Sequence, residues 1–168
     1  ATGSALLAST YIGGSNNDAG VPVIYSTVEL VNNYADEYRG EIILDSLGNV
    51  YIASYTKSSD FPVTSGVIQP SNRGGQDGCL VKLNRNLSAL IFSTYIGGSL
   101  QDAVYSIKLD KNNNIFITGG TESNDLRMAS VGLDNTFNGA IDGFIYKLNF
   151  NATILLSSTF LGTNLYDQ

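Results

Sequence analysis

The constraint that most limits how this chain can fold is its repetition. Ser4–Ser15 (SALLASTYIGGS) returns at Ser88–Ser99 (SALIFSTYIGGS) with ten of twelve positions identical, and a weaker copy follows at Thr153–Asn164 (TILLSSTFLGTN). A segment that recurs with its glycines in place is one supersecondary unit used several times, and such units bury their apolar faces against their neighbours. Aligning Glu41–Asp102 with Ser106–Asp167 needs no gap: Asp45 falls on Asp110, Asn49 on Asn114, Asp77-Gly78 on Asp142-Gly143 and Lys82-Leu83-Asn84 on Lys147-Leu148-Asn149, an offset of 65 residues. The first copy of the shared motif lies 84 residues before the second (Ser9 to Ser93), which leaves an insertion at about Gly20–Tyr38.

Alternation, β-branched and aromatic residues, and bounding turn residues predict four strands per unit. They are Glu41–Asp45, Val50–Tyr55, Gly78–Asn84 and Leu90–Ile96, then Ala103–Asp110, Ile115–Gly120, Gly143–Asn149 and Ile154–Phe160. Helical periodicity is nearly absent. The pentads Asp45–Asn49 (DSLGN) and Asp110–Asn114 (DKNNN) read as hairpin loops, and the glycine pairs 13–14 and 97–98 end the Ser-Thr-Tyr strand and let the chain swing to the next unit. The expected fold is all-β: tandem four-stranded antiparallel blades of a β-propeller, about two of them, as a segment of a larger propeller. Residues 1–19 are expected to complete a preceding blade with one strand, 20–38 to be the insertion, 39–102 one blade repeat, and 103–168 a second repeat with the start of the next. Exposed apolar faces and strand edges at the two ends call for covering neighbours.

Composition narrows the chemistry. The 168 residues are 43% hydrophobic and 14% charged, with a net charge of −6, which argues against a nucleic-acid partner because phosphate binding needs clustered Lys and Arg. No apolar run approaches the length that crosses a bilayer. There is no histidine, hence no usual general base or zinc ligand, and the single Cys79 sits in an apolar alternation expected to bury it. Lys82 and Lys147 recur at one repeat position and are expected to serve the strand end.

The aspartates at 18, 45, 77, 102, 110, 142 and 167 also recur, which points to capping of turn amides. Calcium held by Asp45 and Asn49, and by Asp110 and Asn114, is the sharper alternative, yet each loop has one carboxylate and lacks the dense acidic spacing of a calcium loop. No cofactor is therefore expected. The sequons at Asn86 and Asn151 share a predicted turn and reflect its chemistry. In the insertion, Tyr25, Tyr34, Asp36, Glu37 and Tyr38 are the candidate partner-binding residues, since tyrosines give contact area with a polar tip; plain cover of a blade edge is the competing account.

These motifs resemble the SBBP repeat, a bacterial β-propeller repeat carrying a Ser-Thr-Tyr-Leu-Gly-Gly-Ser strand, an Asp-x-x-Gly-Asn hairpin and an Asp-Phe-Pro-x-Thr loop. The counterparts are Ser9–Ser15 and Ser93–Ser99, Asp45–Ala53, and Asp60–Thr64 (DFPVT) followed by Gln69-Pro70. The second unit departs from the pattern, with Leu126-Arg127 for Phe61-Pro62 and no counterpart of Pro70, so its loop Thr121–Ile141 is expected to take another path. The resemblance implies an extracellular or cell-surface bacterial protein, including adhesin-like proteins of gliding bacteria exported by type IX secretion, and it implies no single activity. The leading expectation is a non-enzymatic module contacting protein or glycan, with the remaining blades of a longer chain or neighbouring subunits as further partners. A carbohydrate-active propeller using paired carboxylates and a passive scaffold in a surface assembly are the alternatives.

Overall fold

The computed structural model describes residues 5–18 and 40–165. Among them lie eight strands and no helix: β1 (Glu41–Leu44), β2 (Val50–Thr56), β3 (Asp77–Leu83), β4 (Leu90–Ile96), β5 (Asp102–Leu109), β6 (Ile115–Thr121), β7 (Asp142–Leu148) and β8 (Leu155–Leu161). They form two four-stranded antiparallel sheets, ordered β1-β2-β3-β4 and β5-β6-β7-β8. All eight strands predicted for the two units are present, with ends displaced by a residue or so.

Local chemistry sets the hairpins. Asp45 N–H donates to the Asn49 carbonyl at 3.0 Å, as Asp110 N–H does to Asn114 at 3.0 Å. The residue needing positive φ is Gly48 (81°) in one loop and Asn113 (60°) in the other, two residue types that tolerate it. At the β3–β4 and β7–β8 turns the left-handed position falls to Leu87 (55°) and Ala152 (54°), where Asn84 and Asn149 cap the turn by accepting from Ser88 N–H at 2.8 Å and Thr153 N–H at 2.9 Å. Both sequons therefore sit in asparagine-capped turns.

The sheets stack face to face. Strand β5 lies across β1, β2 and β3, and the main core fills the layer between the sheets. Tyr51, Ala53, Leu80 and Ile96 come from the first sheet, with Ile107, Ile117, Phe144 and Tyr146 from the second. A smaller cluster on the far face of the first sheet holds Val50, Cys79, Val81, Leu83 and Tyr95, against which Ile12 packs. Cys79 is buried as expected, and burial pushes its thiol up to about 12.

Residues 5–14 join no ladder among the described residues; the strand expected there belongs to a preceding blade, which lies outside them. One expectation needs correcting: the loop from Thr121 to Ile141 keeps the path of its counterpart at two anchor points. Leu126 is buried where Phe61 is in the first unit, and the Asp134 carbonyl accepts Phe160 N–H at 2.9 Å as Gln69 accepts Tyr95 N–H at 3.1 Å. An apolar residue at the first point and a main-chain acceptor at the second suffice, whatever the proline pattern.

Candidate interaction site

Most recurring carboxylates serve the junction between units. The linker leaving β4 is pinned by three donors: Gly98 N–H to Asp102 Oδ2 (2.7 Å), Ser99 N–H to Asp125 Oδ1 (2.8 Å) and Leu100 N–H to Ser123 Oγ (2.9 Å). The same clasp closes the first copy, through Gly14 to Asp18 (2.7 Å), Ser15 to Asp60 (2.8 Å) and Asn16 to Ser58 (2.9 Å). The acceptors Ser58 and Asp60 were not singled out by their roles in the sequence. Their signal is there nonetheless, as Thr-x-Ser-x-Asp at Thr56–Asp60 and again at Thr121–Asp125.

The glycine pair is what lets the carboxylates close in. A Cβ on Gly97 would sit 2.7 Å from Asp77 Cγ and 2.8 Å from Asp102 Oδ2. Asp77 accepts from Gln69 Nε2 (2.7 Å), Arg73 N–H (3.0 Å) and Gly74 N–H (3.1 Å), yet desolvation outweighs these bonds and lifts it to about 6, with the nearby Asp102 charge adding to the rise. Burial likewise raises Asp102. Both residues are inaccessible to solvent. A different carboxylate clasps the inner strands: Glu41 accepts from Ser106 Oγ and Ile107 N–H, each at 2.6 Å, and pairs with Lys108. Those bonds, led by Lys108, hold Glu41 down to about 2.

The hairpin aspartates behave as caps. Asp45 accepts from Leu47 N–H (3.0 Å), Asn49 N–H (2.9 Å) and Asn49 Nδ2 (2.9 Å), and pairs with Lys82 at 3.3 Å. Asp110 repeats the pattern with Asn112, Asn114 and, at 3.9 Å, Lys147. Lys82 and Lys147 also lie over the rings of Tyr51 and Phe116, 4.6 and 5.1 Å from their centroids, so each holds a strand end to its hairpin. Both oxygens of each carboxylate already accept hydrogen bonds from within the loop, and among the described residues no group of three or more His, Cys, Asp or Glu side chains stands together. The expected result is a melting temperature unchanged by millimolar-scale calcium or by a chelator, read by differential scanning fluorimetry; a calcium-dependent rise of several degrees would restore the metal reading.

What remains open to a partner is a cleft of about 360 Å³ where the edge of one sheet meets the turn of the next. Ile91 and Phe92 of β4 form one wall and Phe150 of the β7–β8 turn the other; Thr64, Ser65, Asn151 and Thr153 supply hydroxyl and amide groups, and Lys82 closes one end. Phe150 is 58% exposed and Ile91 46%. The lysine's charge is already answered by Asp45, so the cleft is amphipathic, not strongly cationic. The candidate partner residues Tyr25, Tyr34, Asp36, Glu37 and Tyr38 lie outside the described residues.

A second open surface is the outward face of the second sheet. Phe116, Thr118 and Ile145 border a shallow depression of about 240 Å³ there. Their counterparts 65 positions earlier, Tyr51, Ala53 and Leu80, are wholly buried beneath the second sheet. On the first unit, Ile42 is 65% exposed while its counterpart Ile107 is fully buried. The stacking surfaces thus recur in each unit, with further blades as their natural cover.

Four-stranded antiparallel sheets stacked face to face, each entered through the same glycine–aspartate clasp, define a β-propeller repeat protein. The family model of the SBBP β-propeller repeat matches residues 40–62 and 91–127, which supports an SBBP-type repeat protein. No curated protein matches it.

Proposed function

We propose that this chain is a non-enzymatic interaction module of a secreted or cell-surface bacterial protein, contacting protein or glycan through loops at the junction of its blades. The observation that carries the reading is the amphipathic cleft, with its exposed Phe150 and Ile91 set among the hydroxyl and amide groups of Thr64, Ser65, Asn151 and Thr153. An aromatic ring beside hydrogen-bonding groups suits the apolar face and hydroxyl rim of a sugar, or an extended peptide. The deployment of the carboxylates is consistent with this: Asp18, Asp45, Asp77, Asp102 and Asp110 accept hydrogen bonds that shape turns and junctions, and Asp77 and Asp102, which approach one another around Gly97, are closed to solvent.

A glycan and peptide array screened with the purified chain tests the proposal. Phe150→Ala is expected to weaken the best binder about tenfold while leaving the melting temperature nearly unchanged, because the ring is largely exposed. Turnover of an arrayed polysaccharide or peptide, abolished by a substitution at Asp77 or Asp102 in a chain that still folds, would replace this reading with the carbohydrate-active or hydrolytic one. The scaffold reading draws on the uncovered Phe116, Thr118 and Ile145 face, and an array without binders would favour it.

A further inference from the structure

We infer that the cleft between the two units takes a neutral hexopyranose unit of a glycan, stacked on Phe150 and held at its hydroxyl rim by Asn151 and Ser65. This rests on the interaction reading above and narrows it from protein or glycan to one class of ligand.

The cleft is complete in this chain. Its walls come from β4 of one unit and the β7–β8 turn of the next, so no further blade is needed to build it, whereas the depression bordered by Phe116 and Ile145 lies on a stacking face. The turn wall is anchored to the first unit: Ile68 N–H donates to the Ala152 carbonyl at 3.0 Å, and Ala152 itself is fully buried. Phe150 and Asn151 are thereby carried on a turn fixed before any ligand arrives. Phe150 is not demanded by the repeat, since its counterpart 65 positions earlier is the exposed Arg85.

The backbone beside the cleft argues against a peptide. An extended peptide docks by adding a strand to a free edge, and the edge of β4 is closed. Thr64 N–H donates to the Ser93 carbonyl at 3.1 Å, Thr64 Oγ1 accepts Ser93 N–H at 3.2 Å, and the Gln69 carbonyl accepts Tyr95 N–H at 3.1 Å. Next along the strand, Lys82 pairs with Phe92 and Leu83 with Leu90, which leaves Ile91 over as the extra residue of a bulge. A bulge interrupts the ladder and re-aims a side chain, and Ile91 lines the cleft.

Charge and hydrogen-bonding capacity then select among compact ligands. Lys82, the one charged residue of the lining, is engaged by Asp45 at 3.3 Å and by the Tyr51 ring, so no unanswered cation is left to hold a carboxylate or sulfate. The chain's net charge of −6 opposes an anion further. Thr153 Oγ1 donates to Asn151 Oδ1 at 2.9 Å, which ties up the amide oxygen and leaves its Nδ2 donors for a ligand; Ser65, in the same lining, is exposed. The cleft is therefore apolar at Ile91 and Phe150, uncharged, and supplied with donors. A pyranose ring is its complement, with C–H groups on a face, oxygen acceptors around the edge and no charge. The volume of about 360 Å³ lies at the small end of the roughly 300–1,000 Å³ of small-ligand sites, which suits one or two sugar residues of a longer chain.

The test titrates the purified chain, by fluorescence anisotropy, into labelled hexasaccharides of glucose, mannose, galactose and N-acetylglucosamine, with labelled hexagalacturonate as the anionic probe and a nonapeptide array as the peptide arm. At least one neutral hexasaccharide is expected to bind saturably, about tenfold or more tighter than hexagalacturonate. Phe150→Arg, which installs the residue the first unit carries at this turn, is expected to weaken that binding at least about tenfold, while Phe150→Trp keeps it within about threefold. Circular dichroism on both variants separates loss of binding from loss of fold. Preference for hexagalacturonate or for array peptides, lost on Phe150→Arg, would overturn the neutral-sugar inference and leave the cleft as the interaction site. Neutral binding undiminished in folded Phe150→Arg would place the sugar elsewhere and overturn it as well, and binding in no arm would remove the interaction reading together with it.

Discussion

Gly119→Ala is expected to destabilise the chain by more than about 3 kcal/mol, lowering its melting temperature by about 10 °C, because the added carbon has nowhere to go. A Cβ on Gly119 would lie 1.9 Å from the Ala103 carbonyl oxygen and 2.9 Å from the Phe144 ring. The obstruction is main chain, in the neighbouring strand, so no side-chain rotation relieves it. Its cause is local: the β5–β6 register shifts between Val104 and Ser106, and this irregularity brings β5 close over Gly119. The position 65 residues earlier is Ser54, which carries a side chain in a regular part of β2. Ser54→Ala is therefore the matched control, expected to cost about 1 kcal/mol for a lost buried hydroxyl. Thermal melts of the two variants check the claim, and equal melting points would show that β5 does not press on Gly119 in solution.

The second large effect is a reversal of the usual pH dependence. Asp77 has its carboxyl raised from 3.8 to about 6 by burial, so between those values the folded chain holds a proton that the unfolded chain has released. Stability therefore falls as pH rises through this window, by about 3 kcal/mol from its full value once the pH passes 6 to 7. Asp102, raised in the same direction by its burial, adds to the trend. The opposite sign applies below. Glu41, held at about 2 by Lys108, Ser106 and the Ile107 amide, loses its clasp as pH falls from 4.5 toward 2, and Asp45, Asp110 and Asp125 are likewise depressed by their hydrogen bonds. The urea midpoint is thus expected to peak at about pH 4.5 to 5 and to decline on both sides. Asp77→Asn is expected to flatten the alkaline limb while lowering the peak, because an amide turns an N–H toward donors that now meet a carboxylate oxygen. A midpoint that rises steadily from pH 5 to 7 would refute the assignment.

Much of this architecture can be read along the chain. The offset of 65 residues places eight strands close to where they lie, since each hairpin is specified by residues within reach of one another: an aspartate to cap the turn, and a glycine or asparagine at the left-handed position. The repeated Asp-Gly and Lys-Leu-Asn positions reveal the capping role of the aspartates for the same reason. Glu41 is different. Its repeat counterpart is Ser106, so no recurrence marks it, and its partners come from a strand 65 residues away that stacking alone brings near. The cleft lined by Ile91 and Phe150 escapes for a similar reason, because its walls belong to different units.

Local order, then, follows from short-range chemistry written into each repeat: alternation, turn residues and caps act over a few positions and need no knowledge of the rest. Which face of a sheet is sealed, which glycine is pressed by a neighbouring carbonyl and which copy of a strand lacks its ladder depend on contacts between sheets. Those contacts are governed by volume and close approach across long sequence separations, and identical motifs meet different neighbours there. Hence Tyr95 lies buried and Tyr11 stands in solvent, although the residues around them are nearly the same.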